Sequence, residues 1–145
     1  MSTELERTSS EPFRTVLHTL LTAAFSLIGT MLMKTMFRFK EVIHDGPYDA
    51  QTICNSVLTG LVASAGGVTN METWACVVVG FIAGVLYYLT IVILEHVKFD
   101  DPCDATAVYL VGGIWGIFSM AFLDQDRGVV YPTHKETDRG NYFAY

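Results

Sequence analysis

Three stretches without a formal charge dominate this chain. Nineteen residues separate Arg14 from Lys34, and twenty-two, Thr73 to Leu94, separate Glu72 from Glu95. Nineteen more, Ala105 to Leu123, separate Asp104 from Asp124. A helix rises about 1.5 Å per residue, so about twenty apolar residues cross the roughly 30 Å hydrocarbon layer of a bilayer. Each stretch is long enough. A fourth, Ala50 to Val68, is also uncharged but carries Gln51, Thr52, Asn55, Ser56, Thr59 and Ser64. If it spans, it does so inside a bundle, because that many polar groups cannot face lipid. Only 17% of the 145 residues are charged and 51% are hydrophobic, against about 25% charged in soluble domains. The pattern predicts an all-α, polytopic membrane bundle of about four transmembrane helices. Residues 1–12 read as a polar N-terminal tail, 13–123 as the bundle and 124–145 as a polar C-terminal tail.

Charge and cysteine usage remove other classes. A net charge of -6 excludes nucleic acid as a partner, since phosphate binding needs clustered Lys and Arg. Three widely spaced cysteines do not suggest a disulfide framework. His18, His44, His96 and His134 lack metal-ligand or triad spacing, so neither a metal site nor a catalytic site is expected, and no cofactor. His18 reads as a polar anchor near a membrane boundary. The glycines lie inside apolar runs rather than in a phosphate-binding loop. Nor is the flank before the first stretch, with Glu4, Glu6, Arg7 and Glu11, a signal peptide or a mitochondrial presequence. Basic residues divide almost evenly between the two sides of a four-span topology, so they do not set orientation.

Small residues recur at four-residue spacing. Gly60 and Ser64, Gly80 and Gly84, and Gly112 and Gly116 each lie on one helix face, where they allow close backbone approach in lipid. Gly113 joins this set of packing residues. The first helix offers only Gly29, which places it at the periphery. The loop from Glu95 to Asp104 is rich in carboxylates. There Asp101 and Asp104 are expected to cap the last helix, with Pro102 in its first turn.

These motifs resemble a known family. Asn55-Ser-Val-Leu-Thr-Gly-Leu-Val, Trp74-Ala-Cys-Val-Val-Val-Gly-Phe-Ile-Ala-Gly-Val and Asp100-Asp-Pro-Cys-Asp-Ala-Thr-Ala-Val-Tyr-Leu-Val-Gly-Gly-Ile-Trp-Gly are similar, in order and spacing, to three consecutive helices of ammonium transporter / Rh family membrane proteins. The resemblance covers about residues 50–123 and, weakly, the first helix. It implies helices seven to ten of an eleven-helix, trimeric channel built from two inverted repeats. The first repeat and its pore histidine have no counterpart here. The second pore histidine is expected after Ala107-Val108, where Tyr109 stands, and Leu110 replaces the small glycine that follows. The same resemblance places the Asp-rich loop on the inner side, and gives Asp101 a bracing role at the helix start.

The reading that follows is a non-catalytic, non-transporting integral membrane protein. It would serve as a structural or accessory subunit among other membrane subunits of a hetero-oligomeric complex, such as an organellar respiratory or ATP-synthase assembly. The mitochondrial inner membrane is one setting and the plasma membrane another. The alternatives are ammonium or ammonia transport by an oligomer, with a homotrimer as the family's form, and an incomplete gene product.

Overall fold

The structure is a computed structural model that describes residues 2–37, 49–68 and 71–123, with side chains from Pro12 onward. The C-terminal segment expected to be a polar tail, 124–145, lies outside the described residues. Helix α1 runs Ser2–Met36, α2 Ala50–Ser64 and α3 Thr73–His96, and a π-helical turn, Thr106–Val111, leads directly into α4, Gly112–Leu123. No strand occurs among the described residues. The fold class is all-α, as the sequence predicts.

Three of these helical stretches, Pro12–Met36, Thr73–His96 and Thr106–Leu123, are long and apolar enough to cross a membrane. Helix α2 is the exception. Its 15 residues reach about 22 Å at 1.5 Å per residue, short of a full bilayer core. It packs among the others instead, with Ser56, Thr59, Gly60, Ala63 and Ser64 buried. Residues 2–12 are helical and continuous with the first span, since α1 begins at Ser2 and carries Pro12 within it.

Helices α2 and α3 form the middle of the bundle, with α1 along one side and α4 along the other. The tightest contact joins α1 to α3. A Cβ placed on Gly84 would run into the Ser26 carbonyl, and one on Gly80 into that of Thr22. Gly60 of α2 approaches the same helix, and a Cβ built on it would lie 2.8 Å from Ala23 Cα. The expectation that α1, with Gly29 as its only glycine, sits at the periphery holds for its position but says nothing of how closely it packs. Although α1 lies at one side, it offers its own small-residue face, Thr22, Ser26 and Thr30, all fully buried. The hydroxyls satisfy themselves on carbonyls: Ser26 donates to Ser56 O (2.7 Å) and Thr30 to Gly84 O (3.0 Å). Each such bond within a membrane bundle is worth only about 0.6 kcal/mol on average, so they fix register more than they supply stability.

Of the other predicted packing residues, Gly116 meets Ala63 O at 2.8 Å and Gly112 meets Thr59 Cγ2 at 3.2 Å, measured from a Cβ built on each. Gly66, in the turn after α2, presses on Gly116 O in the same way. Ser64 is buried and donates to Leu61 O at 2.7 Å. Gly113 is a correction. Nothing lies within 4 Å of a Cβ there, because it points away from the Gly112–Gly116 seam.

The pair Gly84→Leu and Gly113→Ala separates these two situations. Gly84→Leu is expected to lower stability by about 3 kcal/mol or more, because backbone cannot yield to an overpacked side chain. Gly113→Ala is expected to be neutral or to stabilise by up to about 1 kcal/mol, from helix propensity alone. Thermal melts of the detergent-solubilised protein read both.

Candidate functional site

Apart from the buried hydroxyls along the helix seams, two polar clusters lie at the ends of the bundle. At one end, α1 begins its buried course beside the turn between α2 and α3. His18, only 3% exposed, places Nδ1 3.3 Å from Val68 O and Nε2 3.0 Å from Thr73 Oγ1. A carbonyl can only accept, so Nδ1 donates to Val68 O, and Nε2 pairs with the Thr73 hydroxyl. Arg14 adds a bond from Nη2 to Met71 O at 3.3 Å. His18 ties α1 to the α2–α3 turn through one backbone carbonyl and one hydroxyl, in keeping with its reading as a polar anchor.

At the other end, the loop after α3 is held by side chains of α2. Gln51 Nε2 donates to Pro102 O (2.9 Å) and Asn55 Nδ2 to Cys103 O (3.1 Å). The same two amides reach Asp104 Oδ2, at 3.4 and 3.2 Å, and the hydroxyl of Tyr87 donates to that oxygen at 3.2 Å. One carboxylate oxygen thus ties together α2, α3 and the start of the last span. Its backbone is left-handed, with φ 52°, a conformation that Asp tolerates better than most residues. Tyr87 is fully buried and Tyr88 nearly so, and Tyr88 donates to Phe37 O at 2.8 Å. Both therefore fill the core with their rings and use their tips as pins.

The two aspartates divide the labour expected of them jointly. Asp101 is the cap: Oδ2 accepts from Thr106 N (2.8 Å) and Oδ1 from Ala105 N (3.2 Å). Asp104 is the cross-brace. Pro102 does not sit in the first helical turn but in the turn preceding it, where its carbonyl serves Gln51. Asp49 caps α2, accepting from Gln51 N (3.3 Å) and Thr52 N (3.2 Å). Backbone N–H bonds, that of Thr106 foremost, hold the Asp101 carboxyl below its ordinary value of 3.8. For Asp49 burial pushes upward, but the bonds from Thr52 and Gln51 and the charge of Lys34 outweigh it, and its carboxyl also lies below 3.8. Among the described residues no three metal-ligating side chains converge.

Lys34, in the last turn of α1, is 8% exposed, and its Nζ has no hydrogen-bond partner among the described residues. It completes a line of buried polar residues at four-residue intervals, His18, Thr22, Ser26, Thr30 and Lys34. That periodicity is visible in the sequence but belongs to no motif that the resemblance uses.

Tyr109 and Leu110, at the positions expected to match the pore histidine and its glycine, are 62% and 57% exposed. They project from the bundle rather than into it, beside the exposed Ile114, Ile117 and Phe118 of α4. Both lie in the π-helical turn, a distortion that tends to occur at functional positions. Nothing in the local sequence, Thr-Ala-Val-Tyr-Leu-Val, marks that turn.

A family profile described as Ammonium Transporter Family matches residues 2–143. The chain belongs to the Ammonium Transporter Family. The match reaches beyond the 50–123 covered by the motifs and takes in α1. Among its relatives, "Ammonium transporter 3" of Dictyostelium discoideum is 38% identical over 81 residues, 55% of this chain and 19% of that protein. "Putative ammonium transporter 1" of Caenorhabditis elegans is 33% identical over 114 residues, 76% of this chain and 21% of that protein. "Ammonium transporter 1 member 1" of Arabidopsis thaliana is 27% identical, over 79% of this chain and 21% of that protein. The chain spans about a fifth of the length of these relatives. Family membership and three membrane-length apolar helices make it an integral membrane protein, related to proteins named as transporters and not as enzymes.

Two predictions test the electrostatics of this end. Carboxyls depressed in the folded state stabilise fully above their unfolded value of 3.8 and lose that contribution as pH falls through the lower folded value. Melting temperature is therefore expected to fall below that pH, and less steeply in Asp101→Ala, which starts lower at neutral pH; parallel curves would refute the cap. Lys34→Met is expected to raise stability by about 1–3 kcal/mol, since a buried ammonium without an acceptor costs about that much. A lowered melting temperature would show that the ammonium is satisfied.

Proposed function

We propose that this chain is a non-transporting, non-catalytic structural unit of a larger membrane assembly, completed by other membrane subunits across the face that carries Tyr109 and Leu110. One observation carries the reading. Helices α1 and α3 meet backbone to backbone at Gly80 and Gly84, and α4 meets α2 nearly as closely at Gly116. Such seams leave no width for a duct between those helices. Any passage has to lie outside them, and the outward face at residues 109 and 110 offers a phenol and an isobutyl group rather than an imidazole. An apolar surface with one hydroxyl suits packing against another helix or lipid better than guiding a polar solute.

A second reading is ammonium or ammonia transport by an assembly of chains. The names of the relatives support it, and so does the exposure of Tyr109, since two surfaces can enclose between them what one cannot. Reconstitution distinguishes the two. Purified protein in liposomes is expected to carry no methylammonium beyond empty vesicles, and Tyr109→His is expected to behave the same. Uptake by the wild-type protein would overturn the structural reading. Uptake only by Tyr109→His would show that a duct is present and closed by one side chain. Native electrophoresis of the protein from its own membrane, with mass spectrometry of the co-migrating chains, is expected to place it in a hetero-oligomer; a homotrimer alone would favour transport.

A further inference from the structure

We infer that Asp104 is a positioning residue that sets the rotational phase of the last span and thereby turns Tyr109 out of the bundle. The inference holds whether or not the chain conducts. It starts from helix geometry. Residues 109, 112 and 116 are spaced i, i+3, i+7, so in a regular helix they share one face. Gly112 and Gly116 are buried against Thr59 and Ala63 of α2. A regular helix extended back from that seam would therefore carry Tyr109 into the bundle. It would also place Ala107, five residues before Gly112, about 140° away from the seam.

The observed arrangement is the reverse. Ala107 is 0% exposed and Tyr109 62%. The wider π turn over Thr106–Val111 accounts for the exchange, because it spends one additional residue per turn and rotates everything before it by about one position. The cause of the offset lies at the two ends of the segment, which are fixed independently. Downstream, α4 is pinned by Gly112 and Gly116 and by Trp115, whose Nε1 donates to Val79 O at 3.0 Å. Upstream, residue 104 is pinned by the three donors on its carboxylate, from Gln51, Asn55 and Tyr87. Bonds to the Pro102 and Cys103 carbonyls hold the chain just before it. Val108 N then donates to Asp104 O at 3.0 Å, so the first turn starts from that fixed point. The chain between the two pins has one residue more than a regular helix accommodates in phase, and the π turn absorbs it.

The rival cause is the bulk of Tyr109, which has no room in the glycine seam. Nitroxide scanning separates the two. In a background with Cys54→Ser, Cys76→Ala and Cys103→Ser, spin labels are placed singly at 107 and at 109 of the full chain in lipid nanodiscs. Collision with dissolved oxygen, read by power saturation, reports which site faces lipid. With Asp104 present, the label at 109 is expected to be accessible and the label at 107 protected. In Asp104→Ala the order is expected to reverse, with loss of protection at 107 and loss of access at 109. Asp104→Asn, which keeps an acceptor oxygen and tolerates the left-handed backbone, is expected to restore the original order. Asn55→Leu with Tyr87→Phe removes two of the three donors without touching residue 104, and is expected to reverse the order if Asp104→Ala does not fold. A merely stabilising role would lower the melting temperature and leave the order intact. An unreversed order in folded Asp104→Ala, or in folded Asn55→Leu/Tyr87→Phe, overturns the inference. So does reversal at the 107 label produced by Tyr109→Ala but not by Asp104→Ala.

Discussion

Contact between α1 and α3 at the level of their backbones is the constraint on which the rest depends. Lipid supplies no hydrophobic force to drive two apolar helices together, so what holds them is close packing and the hydrogen bonds that closeness permits. Gly80 and Gly84 remove the side chains that would keep the axes apart. Thr22, Ser26 and Thr30 present short polar groups in return, and each hydroxyl finds a carbonyl. The order matters physically. Without Gly84 the Thr30 hydroxyl could not reach across to its carbonyl, and that bond keeps the seam from sliding; Ser26 reaches α2 instead, and Thr22 bonds back to His18 O within its own helix. With that pair fixed, α2 settles on α1 through Gly60 and Ser56 and packs beside α3, and α4 is added on the far side of α2.

Directional bonds concentrate where the apolar seams end. His18 and Arg14 hold the α2–α3 turn at one end. Gln51, Asn55 and Tyr87 hold the Asp-rich loop at the other. The seams fix distance between helices and the polar clamps fix rotation and height. Lys34 stands apart from this division. It continues the buried polar line of α1, yet its ammonium has no acceptor among the described residues, and its charge acts at longer range on Asp49.

Much of this was legible in the sequence, for reasons that can be stated residue by residue. Uncharged runs of bilayer length gave the helices, and spacing of four gave Gly60, Gly80, Gly84, Gly112 and Gly116 as seam residues. Carboxylates before an apolar run gave Asp101 as a cap. The role of α1 is under-read from its single glycine, because Gly29, which itself presses on the Phe81 carbonyl of α3, shares the packing face with Thr22, Ser26 and Thr30. A count of glycines overlooks hydroxyls that vanish into the neighbouring backbone. Gly113 was overread for the opposite reason: composition marks it like Gly112, but the two neighbours in a helix point about 100° apart. Asp104 looked like a second cap, since nothing local in the sequence shows that Gln51, Asn55 and Tyr87 come together around it.

The π turn is the clearest case of a feature that no local pattern could have shown. Residues 106–111, Thr-Ala-Val-Tyr-Leu-Val, have no proline or glycine to mark a break, and α periodicity alone assigns Tyr109 to the buried seam. The distortion exists because two distant clamps set incompatible phases for one short helix. That makes the residue at 109 answerable to α2 and α3 rather than to its own neighbours. A substitution at 109 therefore changes what the outward face offers, whereas a substitution at 51, 55, 87 or 104 changes which residue occupies that face. The second kind of change alters the surface without altering any residue on it.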